Sequence, residues 1–278
     1  MNILFDIGGT RTRIAKSHGA DSFDEPVIFE TPKSYTEGIE QIKKVIQNIA
    51  GEEKIDLVVG GFAGPIDRKT STIIASPNLP DWVEKPLKKD LEDFTHSAVY
   101  LENDSAMVGL GEALYGSGKG FPIVVYITIS TGVGGARIVH GKIDERVIGF
   151  EPGHQIVDMD NSVYPDNAGH DLESMIGGRW VEARMGKKAH EITDEAFWDT
   201  IARILAVGLN NTIMHWSPDV VVLGGSMMKK IGVPIVRVEA HLRQMVKIYP
   251  VLPPIVKAEF EHDGGLYGAL AYIKNLKS

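Results

Sequence analysis

The sequence contains no cysteine, which excludes disulfide bonds and thiolate metal sites. It also lacks any apolar run near the roughly 20 residues that a membrane-spanning helix needs. The first residues, Met-Asn-Ile-Leu-Phe-Asp, do not have the basic start of a signal peptide. We therefore expect a cytoplasmic protein without a membrane partner.

Basic residues are outnumbered, with 29 Lys and Arg against 37 Asp and Glu and a formal net charge of −8. An acidic chain without a basic stripe argues against nucleic acid as a partner. It does not exclude phosphate ligands, because backbone amides can hold them locally. The 278 residues, 43% of them apolar, are enough for one large core or two smaller ones, so a two-lobed enzyme is a fair expectation.

A strand, a glycine-rich turn and a second strand occur twice in the chain, near residues 2–16 and 122–139. This weak internal symmetry suggests two related lobes. Apolar periodicity predicts the remaining elements. Further strands are predicted at 55–60, 99–101 and 219–223, and helices at 36–50, 105–115, 172–186, 195–216 and 266–275. Strands that alternate with helices indicate an α/β fold.

Both turns have residues that suit an anion. Asp6-Ile7-Gly8-Gly9-Thr10 and Ser130-Thr131-Gly132-Val133-Gly134-Gly135 combine hydroxyls with glycines that let backbone amides approach phosphate oxygens. Asp6 could hold a hydrated Mg²⁺. Each turn alone is equally consistent with a plain hairpin. The second matches neither a P-loop nor a dinucleotide fingerprint.

Three other segments have residues that suit a ligand, but a purely structural explanation of each is at least as strong. Gly224 and Gly225 follow a buried strand and could lie against a base or ribose, although a simple strand-to-helix turn explains them as well. Glu102-Asn103-Asp104 lies between a strand and a helix, where Asp104 is either a helix cap or a general base with Asn103 beside it. The pair Glu151 and His154, with Glu173, suits vicinal sugar hydroxyls, but each is an ordinary surface residue by default.

Taken together, these motifs resemble the ROK family of repressors, open-reading-frame proteins and sugar kinases. Six motifs occur in that family's order and approximate spacing. They are Asp6–Thr10, Glu102–Asp104, Thr131–Gly135, Glu151–His154, Leu172-Glu173 and Leu223–Gly225. The resemblance extends from residue 3 to about residue 270. Each motif is weak alone, whereas six in register are specific.

The resemblance implies a two-lobed, actin-like and hexokinase-like α/β ATPase fold with a central cleft. It implies a small lobe of residues 1–115, joined by the C-terminal helix 265–278, and a large lobe of residues 116–264. Asp104 takes the position of the catalytic base. The implied sugar ligands are Asn78, Asn103, Asp104, Glu151, His154 and Glu173. The implied ATP and phosphate ligands are Asp6, Gly8, Gly9, Thr10, Thr131, Gly132, Gly224 and Gly225, with Mg²⁺ carried on ATP near Asp6.

One departure concerns the structural zinc that many family members bind through a histidine and three cysteines. Here the cysteine positions are Tyr164, Asp166 and Asp171, so His154 has no thiolate partner. A replacement site built from His154, Asp166, His170 and Asp171 is one alternative, since histidine and carboxylate can bind zinc. We expect instead a metal-free loop held by hydrogen bonds, and no structural zinc.

The resemblance implies ATP-dependent phosphorylation of a hexose hydroxyl, with glucose or a close relative at O6 as the expected substrate. An N-acyl-hexosamine kinase, for N-acetylmannosamine or N-acetylglucosamine, shares the same motifs and stays open. A non-catalytic sugar-sensing protein is a further alternative. The sequence shows no helix-turn-helix segment ahead of the first turn, so we expect no DNA-binding role. By analogy with the family, a homodimer is also expected.

Overall fold

The structure, a computed structural model, describes residues 1–67, 69–165, 169–229, 231–260 and 262–277. The chain forms two compact units. The first unit contains Met1–Tyr115, Gly141–Gly149 and His262–Ser278. The second unit contains Gly116–His140 and Phe150–Glu261. No helix in the described ranges is long and apolar enough to cross a membrane.

The first unit is a mixed sheet with helices on both faces. Its strands are β1 Asn2–Ile7, β2 Arg11–Ser17, β3 Val27–Glu30, β4 Leu57–Phe62, β5 Ile66–Asp67, β6 Thr72–Ile73 and β7 Ala98–Asn103. The two-residue strand β10 Lys142–Ile143 lies in its segment Gly141–Gly149 but in neither of its sheets. Its helices are α1 Tyr35–Ala50, α2 Leu87–Thr95, α3 Asp104–Leu114 and α8 Gly264–Leu276, with a short 3₁₀ helix at Pro80–Trp82. The main sheet has the order β3-β2-β1-β4-β7, with β1, β4 and β7 parallel.

Strand β1 is central because both of its faces are apolar. Ile3 and Phe5 pack in one cluster with Ile42 of α1, whereas Leu4 packs in another cluster with Leu270 of α8. Successive side chains of a strand point to opposite faces, so an unbroken apolar run suits a strand covered by helices on both sides. The polar end of β1, at Asp6, is thereby fixed beside a rigid core.

The second unit repeats this arrangement. Its strands are β8 Ile123–Ile129, β9 Val133–Val139, β11 Val220–Gly224 and β12 Ile255–Lys257. Its helices are α4 Leu172–Ile176, α5 Gly178–Met185, α6 Glu195–Trp216 and α7 Ile235–Met245, with 3₁₀ helices at Pro152–His154, Ala189–Glu191 and Ser226–Met228. These strands run in the order β9-β8-β11-β12, with β8 antiparallel to β9 and parallel to β11. Helix α6 is covered along its length by the core of this unit.

The structure corrects one expectation. The predicted continuous helix 172–186 is wrong, because Gly177 is extended (φ −60°, ψ 141°) and the next residue donates its N–H to the Ser130 carbonyl instead of continuing the helix. The segment Gly141–Gly149, which we expect in the large lobe, makes its contacts mainly within the first unit. Asn275 donates a hydrogen bond to the Gly141 carbonyl at 2.7 Å, and Arg146 pairs with Glu102.

Candidate active site

The first glycine turn joins β1 to β2 and is anchored from outside. The Thr31 hydroxyl donates to the Gly8 carbonyl at 2.8 Å, and the Lys33 ammonium donates to the Gly9 carbonyl at 2.9 Å. Lys33 also donates to the Asn78 carbonyl at 3.1 Å, and Asn78 packs directly against Gly9. The structure therefore brings the predicted sugar residue Asn78 to the predicted phosphate turn. Thr10, at the end of that turn, is exposed.

Asp6, near the end of β1, is surrounded by more carboxylates than cationic groups. Burial raises the pKa of its carboxyl to about 7, the Asp104 and Asp263 carboxylates add to the increase, and the Arg13 guanidinium opposes it. Arg13 lies 3.5 Å from Asp6 and 4.0 Å from Asp263. Asp6 and Asp263 both approach the Arg13 guanidinium, and the Asp104 charge also acts on Asp6, so a bound cation would reduce the repulsion among these carboxylates.

The junction of β7 and α3 assigns different tasks to Asn103 and Asp104. Asn103 is the helix cap, since its Oδ1 accepts the Ala106 N–H at 3.1 Å and its Nδ2 donates to the Gly64 carbonyl at 3.0 Å. The alternative in which Asp104 caps the helix is therefore wrong. The Asp104 Oδ1 instead accepts the N–H of Ser105 at 2.7 Å, which orients the carboxylate at the start of α3. Asn103 retains one N–H and one lone pair for a ligand.

An ion pair that the sequence did not predict supports the same strand end. The Arg146 guanidinium bonds to the Glu102 carboxylate, and their side chains are only 6% and 14% exposed. The two residues are 44 positions apart, and no local pattern links them. Because Glu102 lies two residues before Asp104, this contact ties the segment 141–149 to the strand end that presents the predicted base.

In the second unit, three segments meet at the turn between β8 and β9. The Ser130 carbonyl accepts the Gly178 N–H at 2.7 Å, and the Thr131 carbonyl accepts the Arg179 N–H at 3.1 Å. The Ser130 hydroxyl accepts the Ser226 N–H at 3.0 Å. Gly225 has φ +96° and no room for a Cβ, which would lie 2.2 Å from the Ile129 carbonyl. This turn is therefore a rigid junction built from distant parts of the chain.

Glu173 supports this turn from behind. Its Oε2 accepts the Val133 N–H at 2.9 Å, and its Oε1 lies 3.3 Å from the Arg179 guanidinium. A Cβ on Gly132 would lie 2.3 Å from Oε2, so a larger residue there would displace the Glu173 carboxylate. The predicted sugar residue Glu173 and the predicted phosphate residue Gly132 are thus in direct contact.

A groove of about 630 Å³ opens beside this turn, wholly within the second unit. Thr131 and Ser226 line it, and Gly224 and Gly225 immediately precede Ser226. Three cationic residues that sequence reasoning missed also line it, together with an apolar floor. The cationic residues are Arg179, Lys188 and Lys229, and the floor includes Ala189, Met227 and Ile231. Three cationic side chains against one carboxylate, Glu182, beside an apolar surface suit a phosphorylated, flat ligand.

Glu151, His154 and Glu173 form one electrostatic cluster. Burial raises the pKa of Glu151, and the Glu173 charge adds to the increase while His154 opposes it. The hydrogen bond from His154 Nδ1 to Asp171 Oδ2, at 3.0 Å, is the main cause of a raised His154 pKa. The structure therefore gathers three of the predicted sugar ligands and leaves His154 exposed enough to meet a ligand.

The described residues of this region do not fit a structural zinc. Among the residues that the structure describes, no three His, Asp or Glu side chains are grouped to hold a metal ion. His154 bonds to Asp171, and the His170 Nδ1 hydrogen-bonds to the Asp158 carbonyl at 2.9 Å. The fourth member of the alternative metal site, Asp166, lies outside the described residues.

The chain resembles known sugar kinases over most of its length. It is 27% identical to the glucokinase of Thermotoga maritima, covering 85% of this chain and 84% of that protein. It is 28% identical to the N-acetyl-D-glucosamine kinase of Histophilus somni, covering 96% and 97%.

The fold also matches solved structures. The ROK family glucokinase of Streptomyces griseus, in complex with glucose and AMPPNP, superposes with a TM-score of 0.78 at 22% identity, covering 99% of both chains. This likeness shows that the chain has the actin-like, hexokinase-like ATPase fold. The ROK family itself matches residues 3–275 of the sequence. The chain therefore belongs to the ROK family.

Proposed function

We propose that the protein transfers the γ-phosphoryl group of ATP to a hexose hydroxyl, with glucose or a close relative at O6 as the acceptor. One observation carries the proposal: the Asp104 carboxylate is oriented at the start of α3 without serving as the helix cap. A carboxylate held in this way suits a general base. The glucokinase names of the relatives and the glucose and AMPPNP in one related structure support the choice of substrates.

The donor would occupy the groove of the second unit. The groove cations Arg179, Lys188 and Lys229 would neutralise the triphosphate, Thr131 would donate a hydrogen bond to it, and the apolar floor would take the base. Mg²⁺ fits Asp6 because this carboxylate is a hard oxygen ligand and the charges that act on it include two further carboxylates, Asp104 and Asp263, against one guanidinium, Arg13. Since no cage of three ligands exists among the described residues, water and phosphate oxygens would complete its coordination. The ion would supply charge neutralisation at the transferring group.

The acceptor side is built around Asp104. The side chains of Asn78, Asn103, Glu151, His154 and Glu173 would orient the sugar through its hydroxyls. Asp104 would accept the proton of the reacting hydroxyl as the new oxygen–phosphorus bond forms and ADP leaves with the electrons of the broken bond. Exclusion of water on ligand binding would limit wasteful ATP hydrolysis.

Two other functions are alternatives to this proposal. An N-acyl-hexosamine kinase is favoured by the similarity to the Histophilus somni enzyme and would use the same Asp104. A sugar sensor would bind sugar without turnover, and the presence of Asp104 and of both glycine turns in the sequence speaks against it.

A panel of sugars tests the proposal. The purified protein, with ATP and Mg²⁺, is assayed for ADP release with glucose, mannose, fructose, N-acetylglucosamine and N-acetylmannosamine. We expect glucose or a close relative to give the highest kcat/KM. A preference for an N-acetylated sugar would establish the alternative, and sugar binding without ADP release from any sugar would contradict a kinase function altogether.

A further inference from the structure

Hydrogen bonds join the described parts of the loop between Gln155 and Leu172, residues 156–165 and 169–171. Burial acts to raise the pKa of Asp158, but the N–H groups of Val163 and Ser162, each 3.1 Å from its carboxylate, outweigh burial and lower it. The far end of the loop returns to the same residue, because His170 bonds to the Asp158 carbonyl. Two strand-like contacts, from Val157 N–H to the His170 carbonyl and from Leu172 N–H to the Gln155 carbonyl, close the base.

Asp171 connects this loop to two parts of the proposed sugar site. Its Oδ2 accepts from the His154 Nδ1 at 3.0 Å. Its Oδ1 accepts the Ser174 N–H at 2.8 Å and so caps helix α4, which carries Glu173. One carboxylate therefore fixes both an imidazole and the helix beside it.

A second contact ties the outer part of the loop to the same helix. The Arg184 guanidinium lies 3.8 Å from the centre of the Tyr164 ring. The same guanidinium donates to the carbonyls of Ser174 at 2.9 Å and Met175 at 3.1 Å. Tyr164 and Asp171 occupy two of the three positions at which many family members have cysteine. Both are thus engaged in contacts that need no metal.

We propose that Asp171 is a positioning residue that takes the place of a structural metal ion, fixing the His154 ring through Nδ1 so that Nε2 meets the sugar. A carboxylate only accepts hydrogen bonds, so the contact places a hydrogen on Nδ1 and leaves Nε2 as the ligand-facing nitrogen. In metal sites a partner bonded to the second ring nitrogen fixes the ring in the same way. The sugar part of this inference rests on the proposed function, whereas the link between Asp171 and His154 does not.

The test compares Asp171→Asn with Asp194→Asn. Both residues cap helices of the second unit, and asparagine preserves each cap, but Asp194 has no histidine partner in the described contacts. We expect Asp171→Asn to lower the His154 pKa, measured by NMR titration of the ring, because its charged partner is lost. Glu151 and Glu173, the other charges facing His154, are unchanged in both variants. We also expect a roughly tenfold rise in sugar KM with little change in ATP KM, in keeping with one lost charged hydrogen bond.

Metal analysis completes the experiment. The parent protein, incubated with zinc and then desalted, should retain far less than one zinc per chain, and a chelator should leave its thermal midpoint unchanged. One tightly held zinc per chain, or an unchanged His154 pKa in Asp171→Asn, would overturn the inference. If the parent has no sugar turnover but the His154 pKa still falls in Asp171→Asn alone, the positioning role stands and the proposed function fails.

Discussion

Replacing Asp6 with asparagine should stabilise the ligand-free protein at neutral and alkaline pH while it impairs catalysis. The folded protein raises the Asp6 pKa from 3.8 to about 7, chiefly by burial. At about 1.4 kcal/mol for each pKa unit, ionised Asp6 costs the folded state up to about 4 kcal/mol. Asparagine removes this cost, and Arg13 keeps Asp263 as a partner. We expect a gain of about 2–4 kcal/mol in the free energy of unfolding.

The raised Asp6 pKa also predicts how the free energy of unfolding changes with pH. Between about pH 4 and pH 7 the folded state binds the Asp6 proton more tightly than the unfolded state, so this residue lowers stability as pH rises through that range. Urea unfolding of the parent and Asp6→Asn should therefore give equal stability near pH 4 and the full difference near pH 8. A variant that is less stable near pH 8, or a difference that does not change with pH, would refute the reasoning. The parallel activity assay should show a large loss with Mg²⁺ and ATP.

Two further substitutions probe the supports of the site. Gly132→Ala should raise the ATP KM roughly tenfold or more, because its Cβ would displace Glu173 Oε2 and break the bond to the turn; steady-state kinetics measures this. Arg146→Ala should lower the free energy of unfolding by about 3 kcal/mol, since it leaves the nearly buried Glu102 carboxylate without this guanidinium; urea unfolding measures this.

Each of these has a matched control. Gly19→Ala adds the same methyl group where no atom lies within 4 Å, so the ATP KM should not change. Arg243→Ala removes a guanidinium that is 69% exposed and pairs with Glu239 on the surface, where little stability is at stake. Equal effects within either pair would show that the close contact at Gly132, or the burial of Arg146, is not what matters.

Local patterns predicted the elements around the site well. The two glycine turns follow strands as expected, and helix α6 begins and ends at the predicted residues, Glu195 and Trp216. These segments have strong periodicity and clear glycine signals, so neighbouring residues determine them. Strands β3 and β12 and helices α2 and α7 were not predicted. Strand β12, for example, is three residues long and owes its conformation to pairing with β11.

The parts that could not be predicted depend on contacts between distant residues. The sequence predicts Glu173 as a sugar ligand. In the structure its carboxylate also accepts a hydrogen bond from the Val133 N–H, 40 residues away. The same holds for Arg146 beside Glu102. Asn103, and not Asp104, caps helix α3 because of where strand β7 ends. Local sequence does not determine that strand end to within one residue.

The most direct test of the account is the turnover of Asp104→Asn. Asp93→Asn, an exposed carboxylate on α2, serves as the control. In a coupled ADP assay at saturating ATP and the preferred sugar, we expect Asp104→Asn to lose roughly 10²–10⁴-fold in kcat while it still binds sugar, and the control to match the parent. Sugar-dependent turnover of Asp104→Asn within about tenfold of the parent would contradict the role of Asp104 as the base.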